Sequence, residues 1–193
     1  MDIPLQLVLF TFPPLIYAIV CKRRGEKWRE IFRKIGWQGC HSTSWLWGLG
    51  IIAITGALGW LAFRSIPSEV LQHPNIQISA YAGWPLSITS FLVVVLREGF
   101  YVALGEEIFF RGFLGGWLVR RLGFIPGNAI QALIFLLPHL FLLLISASLW
   151  PIVLVQAITG WLLGWLRYRS ASILPGWLVH SLVNALGALP AMG

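Results

Sequence analysis

Long apolar runs alternate with short polar or basic stretches along this chain of 193 residues. Six runs stand out, at about 3–20, 45–63, 86–118, 128–145, 150–166 and 173–190. Each approaches or exceeds the ~20 apolar residues that a helix needs to cross a bilayer. The third is too long for one straight span, and Gly99 and Gly105 are candidate places for it to bend or break into a seventh piece. The pattern predicts an all-α, polytopic transmembrane helix bundle of about six spans. It reads as one membrane domain over 1–193, with a two-span N-terminal region at 1–85 and a helical core at 86–190. The stretch 64–85, with Pro67, Pro74 and Pro85, reads as a loop between spans.

Composition strengthens the membrane assignment. Hydrophobic residues make up 58% of the chain and charged residues 11%, against roughly 45–50% and about 25% in an average soluble domain. The net charge of +7 raises nucleic acid as a partner, and its distribution argues against it. Lys22, Arg23, Arg24, Lys27, Arg29, Arg33 and Lys34 fill the first loop, Arg120 and Arg121 follow the third run, and Arg167 and Arg169 follow the fifth. These loops share one side, and the opposite loops offer only Arg64. By the positive-inside rule the basic loops are cytoplasmic and both termini lie outside. Membrane lipid is the expected partner of the first loop, where Trp28, Ile31, Phe32 and Ile35 recur at helical spacing among basic residues, as in a helix lying in the interface. Trp45, Trp47, Trp84, Trp150 and Trp177 lie near span ends and read as aromatic belts. The first run has no basic residues before it and no small-x-small cleavage site after it, so 3–20 reads as a retained anchor. Cys21 and Cys40 share the cytoplasmic loop, where a structural disulfide is not expected.

Against that background one segment is anomalous: Gly105-Glu106-Glu107-Ile108-Phe109-Phe110-Arg111-Gly112. An ionisable residue at this depth costs at least ~2.5 kcal/mol on insertion scales, and its retention points to function. On a helix Glu107 and Arg111 are i, i+4 neighbours and can pair, while Glu106 is turned about 100° away. Arg111 can hold Glu107 ionised, which leaves Glu106 available as a base. All three can equally form a buried ion-pair network that locks the bundle. His139 follows Pro138 mid-run, with Phe135 one turn earlier to pack on its ring. His180 and Asn184 share a face and can both donate to one developing negative charge, or clamp two helices. Asp2 is the only aspartate, so an aspartyl dyad is excluded. No H-E-x-x-H occurs, and no G-x-S. A glutamate–histidine–histidine–asparagine set remains, able to activate water by general base catalysis and to stabilise an oxyanion.

These residues resemble the CPBP intramembrane proteases, the group of CAAX prenyl endopeptidases and bacteriocin-processing enzymes. Glu106-Glu107-x-x-x-Arg111, Phe135-x-x-x-His139 and His180-x-x-x-Asn184 are similar to that family's three signatures, in order, and the likeness spans about 86–187. The resemblance implies a catalytic core at 86–190 in a bacterial inner-membrane endopeptidase that cleaves a membrane-associated peptide or protein. It implies Glu106 as the base, His139 as a water-positioning group, His180 and Asn184 at the oxyanion, and Glu107 and Arg111 as organisers. Metal-free and metal-dependent accounts of the family both exist. Glu106, His139 and His180 are of zinc-ligand type, but Asn184 suits an oxyanion donor, so no cofactor is expected and zinc is the alternative. Nothing marks a prenyl-binding surface, and the prenyl-protein substrate is not carried over. Two other classes compete: a non-catalytic membrane immunity or scaffold protein, and a proton-coupled carrier, which would call for paired half-repeats. The site is expected near the cytoplasmic half, with Gly112/Gly116 and Gly160/Gly164 letting the motif helices approach.

Overall fold

The structure is a computed structural model that describes residues 5–193. Described residues are helical or in turns and loops, with no strand among them, and they form an all-α bundle. The long helices are α1 (Leu5–Arg23), α3 (Thr43–Arg64), α4 (Ile88–Leu122), α5 (Phe124–His139), α6 (Trp150–Ser170) and α7 (Leu174–Ala188), with a short α2 (Trp28–Lys34) in the first loop. Five stretches are long and apolar enough to cross a membrane: α1, α3, α4, α6, and α5 together with the turn that carries it to Ile145. The sixth run, expected at 173–190, is a 15-residue helix, α7, extended by a turn at Leu189–Ala191. The first run is helical from Leu5, and its positions 3 and 4 lie outside the described residues.

The third run does not break. α4 is continuous over 35 residues, and it absorbs its length through two π-helical stretches, Glu98–Ala103 and Glu107–Gly115, around a short α-helical segment at Leu104–Glu106. Such i→i+5 stretches are rare and recur at functional positions. Gly123, at φ +83°, ends α4 and lets α5 start at once.

Small residues set the closest approaches. A Cβ at Gly105 would lie 2.9 Å from the Leu7 Cα, so the α1 backbone crosses α4 there. Gly160 and Gly164 admit Phe135 and Asn128 of α5 against α6. Gly112 and Gly116 act differently from the expectation. They do not join motif helices, but accept the backbone carbonyls of Ile35 and Lys34 at the end of α2.

α2 thus lies across one end of the bundle. Glu30 accepts from the Lys27 N–H at its N-terminus, and Ile31, fully buried, packs on Ala18 and Cys21. The apolar stripe read from sequence is divided: Ile31 and Ile35 face the bundle, while Trp28 and Phe32 stack on each other outside it. Arg120 and Arg167 both donate to the Lys34 carbonyl, and the Ile173 N–H donates to Gly36. The three basic loops therefore meet at this one end. Cys21 and Cys40 are free thiols.

Because the α1–α4 crossing is backbone against backbone, Gly105→Val should overpack it at about 1–3 kcal/mol. A clear drop in the thermal midpoint in detergent is expected; an unchanged midpoint would mean that α1 is not seated on α4 at Gly105.

Candidate active site

Packing of α7 on α4 builds the site. Gly176 and Gly99 make it possible. A Cβ at Gly176 would lie 2.8 Å from Glu107 Oε2, and one at Gly99 would lie 3.0 Å from Ser181 Oγ. The π-helical stretch at Glu98–Ala103 shifts the backbone bonding by one residue, and the Trp177 indole N–H donates to the Gly99 carbonyl at 2.8 Å. Trp177 is thus an interhelical anchor, not the belt residue its position suggested. It still lies near a helix end, in the first turn of α7, and is half-buried.

Glu107 is completely buried, as is Arg111, and the two are paired at 3.2 Å between Oε1 and Nη1. The same Oε1 accepts from His180 Nδ1 at 3.0 Å. A carboxylate only accepts, so Nδ1 carries a proton. Nε2 of His180 then faces Glu106, with Oε2 at 3.6 Å, longer than a hydrogen bond. The Arg111 guanidinium also lies over the Phe135 ring, 4.0 Å from its centroid, a favourable placement for a desolvated cation. Phe135, fully buried, is the hub of this layer. Its ring lies 4.7 Å from that of His139 and 6.2 Å from that of His180.

His139 is at the C-terminal end of α5, not mid-helix as its place in the apolar run suggested. Pro138 has no N–H to continue the ladder, and the chain leaves the helix one residue later. His139 Nδ1 donates to the Phe135 carbonyl at 2.9 Å, which in the neutral ring leaves Nε2 as an acceptor.

Glu106, His139, His180 and Asn184 all line one cavity of about 1150 Å³. It runs from these side chains past Thr55–Phe63 of α3 and the start of α6 to the loop at 75–81. That places it in the half of the bundle away from the basic loops, and this corrects the expectation of a site near the basic, cytoplasmic half. The sequence placed a short helix among the basic residues, at Trp28–Lys34 in the structure, but not its closure of that end of the bundle. Glu107 and Arg111 stand behind the cavity wall and do not line it.

Asn184 is not paired with a group from the three signatures. Its Nδ2 donates to Glu98 Oε2 at 3.2 Å. Glu98 is buried, lines the same cavity, and also accepts from Gln77 Nε2 at 2.6 Å and from the Tyr81 hydroxyl. Burial, and then the bond to Glu98, push the Tyr81 phenol well up, so it remains a donor. The sequence reading passed over Glu98, although a carboxylate inside the 86–118 run carried the same signal as Glu106.

Among the described residues no three His, Cys, Asp or Glu side chains are grouped as a metal ion requires. His180 Nδ1 is committed to Glu107 and His139 Nδ1 to a carbonyl. A carboxylate, two imidazoles and an amide line one cavity wall, a set able to take a proton from water and to donate toward a developing anion.

A family model described as Type II CAAX prenyl endopeptidase Rce1-like matches residues 88–186, just over half of the chain. The chain belongs to this family. It is an integral membrane protein of an Rce1-like group of peptidases, and its family implies a peptide or protein substrate in the membrane. The match begins at α4 and ends within α7, so it includes every candidate site residue from Glu98 to Asn184. No curated protein and no solved structure matches the chain.

Removing Arg111 would leave Glu107 buried beside a histidine alone. Arg111→Ala should therefore destabilise the bundle by about 3–5 kcal/mol, more than Glu106→Ala does. Thermal unfolding of both variants in detergent checks this; equal midpoints would remove Arg111 from its organising place.

Proposed function

We propose that the chain is an intramembrane endopeptidase that cleaves a membrane-associated peptide or protein with water activated by Glu106. The observation that carries this reading is the contrast between two adjacent carboxylates. Glu107 is held by Arg111 and His180 behind the wall, while Glu106 lines the cavity with the more distant His180 Nε2 beside it, at 3.6 Å. Neighbouring carboxylates in such different surroundings suit different roles.

Glu106 takes a proton from a water in the cavity as that water attacks the scissile carbonyl, and later returns it to the leaving amine. His139 orients the water through Nε2. The oxyanion is met by the second N–H of the Asn184 amide and by an N–H at Nε2 of His180, whose ring Glu107 orients through Nδ1. Glu107 and Arg111 hold His180 in this orientation. No metal ion is part of the scheme, because Asn184, one turn from His180, suits an amide donor and not a zinc ligand. By the positive-inside rule the basic end is cytoplasmic in a bacterial inner membrane. The cavity then belongs to the outer half, and substrate enters from that side.

The test uses purified protein in proteoliposomes with a library of internally quenched peptides carrying an N-terminal palmitoyl chain. Cleavage is expected, and Glu106→Ala should lose the ~10²–10⁴-fold attributed to a general base while remaining folded. Near-full activity in that variant would sink the assignment. A scaffold or carrier would cleave nothing at any substitution. Glu106→Gln, purified from its native membrane, should retain uncleaved peptide that identifies the substrate. The metal-free scheme is checked separately, by metal mass spectrometry on chelator-treated protein. Unchanged activity with well under one metal per chain is expected; loss on chelation and recovery with zinc would replace the scheme with a metallopeptidase.

A further inference from the structure

Glu98 is a buried carboxylate in the site cavity that neither the three signatures nor the proposed steps employ. Both of its oxygens are occupied. Oε1 accepts from Tyr81, and Oε2 accepts from Gln77 and from Asn184. Two of the three donors come from the loop at 75–81, and the third is the amide that faces the reacting carbonyl in the proposed mechanism.

We propose that Glu98 is a positioning residue that sets the orientation of the Asn184 amide and ties it to the 75–81 loop. The inference rests on the endopeptidase reading for its catalytic consequence, but not for its geometry.

An asparagine side chain has nearly equivalent ends in shape and opposite ends in hydrogen bonding. A carboxylate can only accept, so Glu98 Oε2 selects the NH₂ end of Asn184 and repels the carbonyl end. One N–H is spent on Glu98, and the direction of the other is then fixed. Asn184 is half-buried and lines an open cavity, so without Glu98 its amide has room to rotate. Glu98 in turn cannot swing toward Glu106, because Tyr81 and Gln77 hold it from the loop side. The packing of Tyr81 supports this anchorage: it is buried with Val94, Ala185 and Ala188, and its ring lies edge-on to Trp84. The loop, α4 and α7 are thereby joined at one carboxylate.

A merely structural role for Glu98 would be to hold the loop, and the two roles separate experimentally. Glu98→Ala removes both. Glu98→Gln keeps a carbonyl oxygen that accepts from Asn184 and Gln77. Gln77→Ala with Tyr81→Phe removes the loop ties and leaves the Asn184 bond. The chain has three asparagines, Asn75, Asn128 and Asn184, so selective ¹⁵N-asparagine labelling in detergent gives three side-chain amide pairs. The Asn184 pair is identified by its loss in Asn184→Ala.

The Asn184 amide signal is expected to move toward that of a free amide in Glu98→Ala and to stay near its original position in Glu98→Gln. In the double loop variant it should remain while the melting temperature falls. On the best-cleaved palmitoyl peptide, Glu98→Ala should lower kcat by about tenfold or more, as a misaimed group does, with KM nearly unchanged and recovery in Glu98→Gln. An Asn184 signal that does not respond to Glu98→Ala overturns the proposal, as does a kcat equally reduced in the Gln variant and the loop variant. If Glu98→Ala does not fold, the comparison of Glu98→Gln with the loop variant decides the same question. Should Glu106→Ala remain active while the Asn184 signal still follows Glu98, the mechanism falls and the positioning stands.

Discussion

A completely buried carboxylate, Glu107, sets the conditions for the rest of the molecule. In an apolar bundle an uncompensated charge is not tolerated, and removing one partner of a buried pair is strongly destabilising. Two partners meet this one, Arg111 from the same helix and His180 from α7. Each imposes a further requirement. For His180 to reach Glu107, α7 must lie close on α4, and the absence of side chains at Gly176 and Gly99 permits this. The Arg111 guanidinium needs a surface for its remaining face, and the ring of Phe135 supplies it. Phe135 in turn fits only because α6 carries a glycine, Gly160, at the point of contact. One charge thus explains the mutual seating of four helices.

The irregular path of α4 follows from the same demand. A regular helix of 35 residues would have to present Glu98, Glu106, Glu107 and Arg111 on fixed bearings about 100° apart per residue. The two π-helical stretches alter those bearings, and the Gly99 carbonyl, which accepts the Leu104 N–H within the first of them, also accepts from the Trp177 indole. The cost of the distortion is local, and the bond from Trp177 offsets part of it. In return Glu106 faces the cavity while its neighbour faces the core. The candidate site and the helical irregularity therefore coincide on one helix, as expected where an irregularity is retained within a long regular element.

Much of this was legible in the sequence for a physical reason: charge within hydrocarbon is conspicuous. Glu106, Glu107 and Arg111 stood out for that reason, as did His139, His180 and Asn184, and the apolar runs located every long helix. Glu98 carried the same signal but sat beside Arg97 near the start of a run, where a charged pair passes for a span end. The π-helical stretches left no trace in the local pattern; the first packs on α7 and the second on α1, α5 and α6, contacts remote in sequence. The end of α5 at His139 was masked by the apolar residues that continue the run beyond it. The side of the bundle that holds the cavity was also misread, since charge patterning orients loops but does not say which end a short helix such as α2 will close.

The closure of the basic end bears directly on how such a site can work. α2 inserts the Lys34 and Ile35 carbonyls against Gly116 and Gly112, a turn beyond Arg111, and Arg120 and Arg167 bind one of those carbonyls from either side. The charged wall behind the cavity is therefore sealed from the basic loops. Glu107 and Arg111 keep a dry environment in which their pairing is strong, whereas Glu106 borders the cavity. In the proposed mechanism the general base needs contact with water, and the groups that orient its partners need protection from it. Two adjacent residues meet opposite requirements here because the helix that carries them forms the boundary between the sealed end and the cavity.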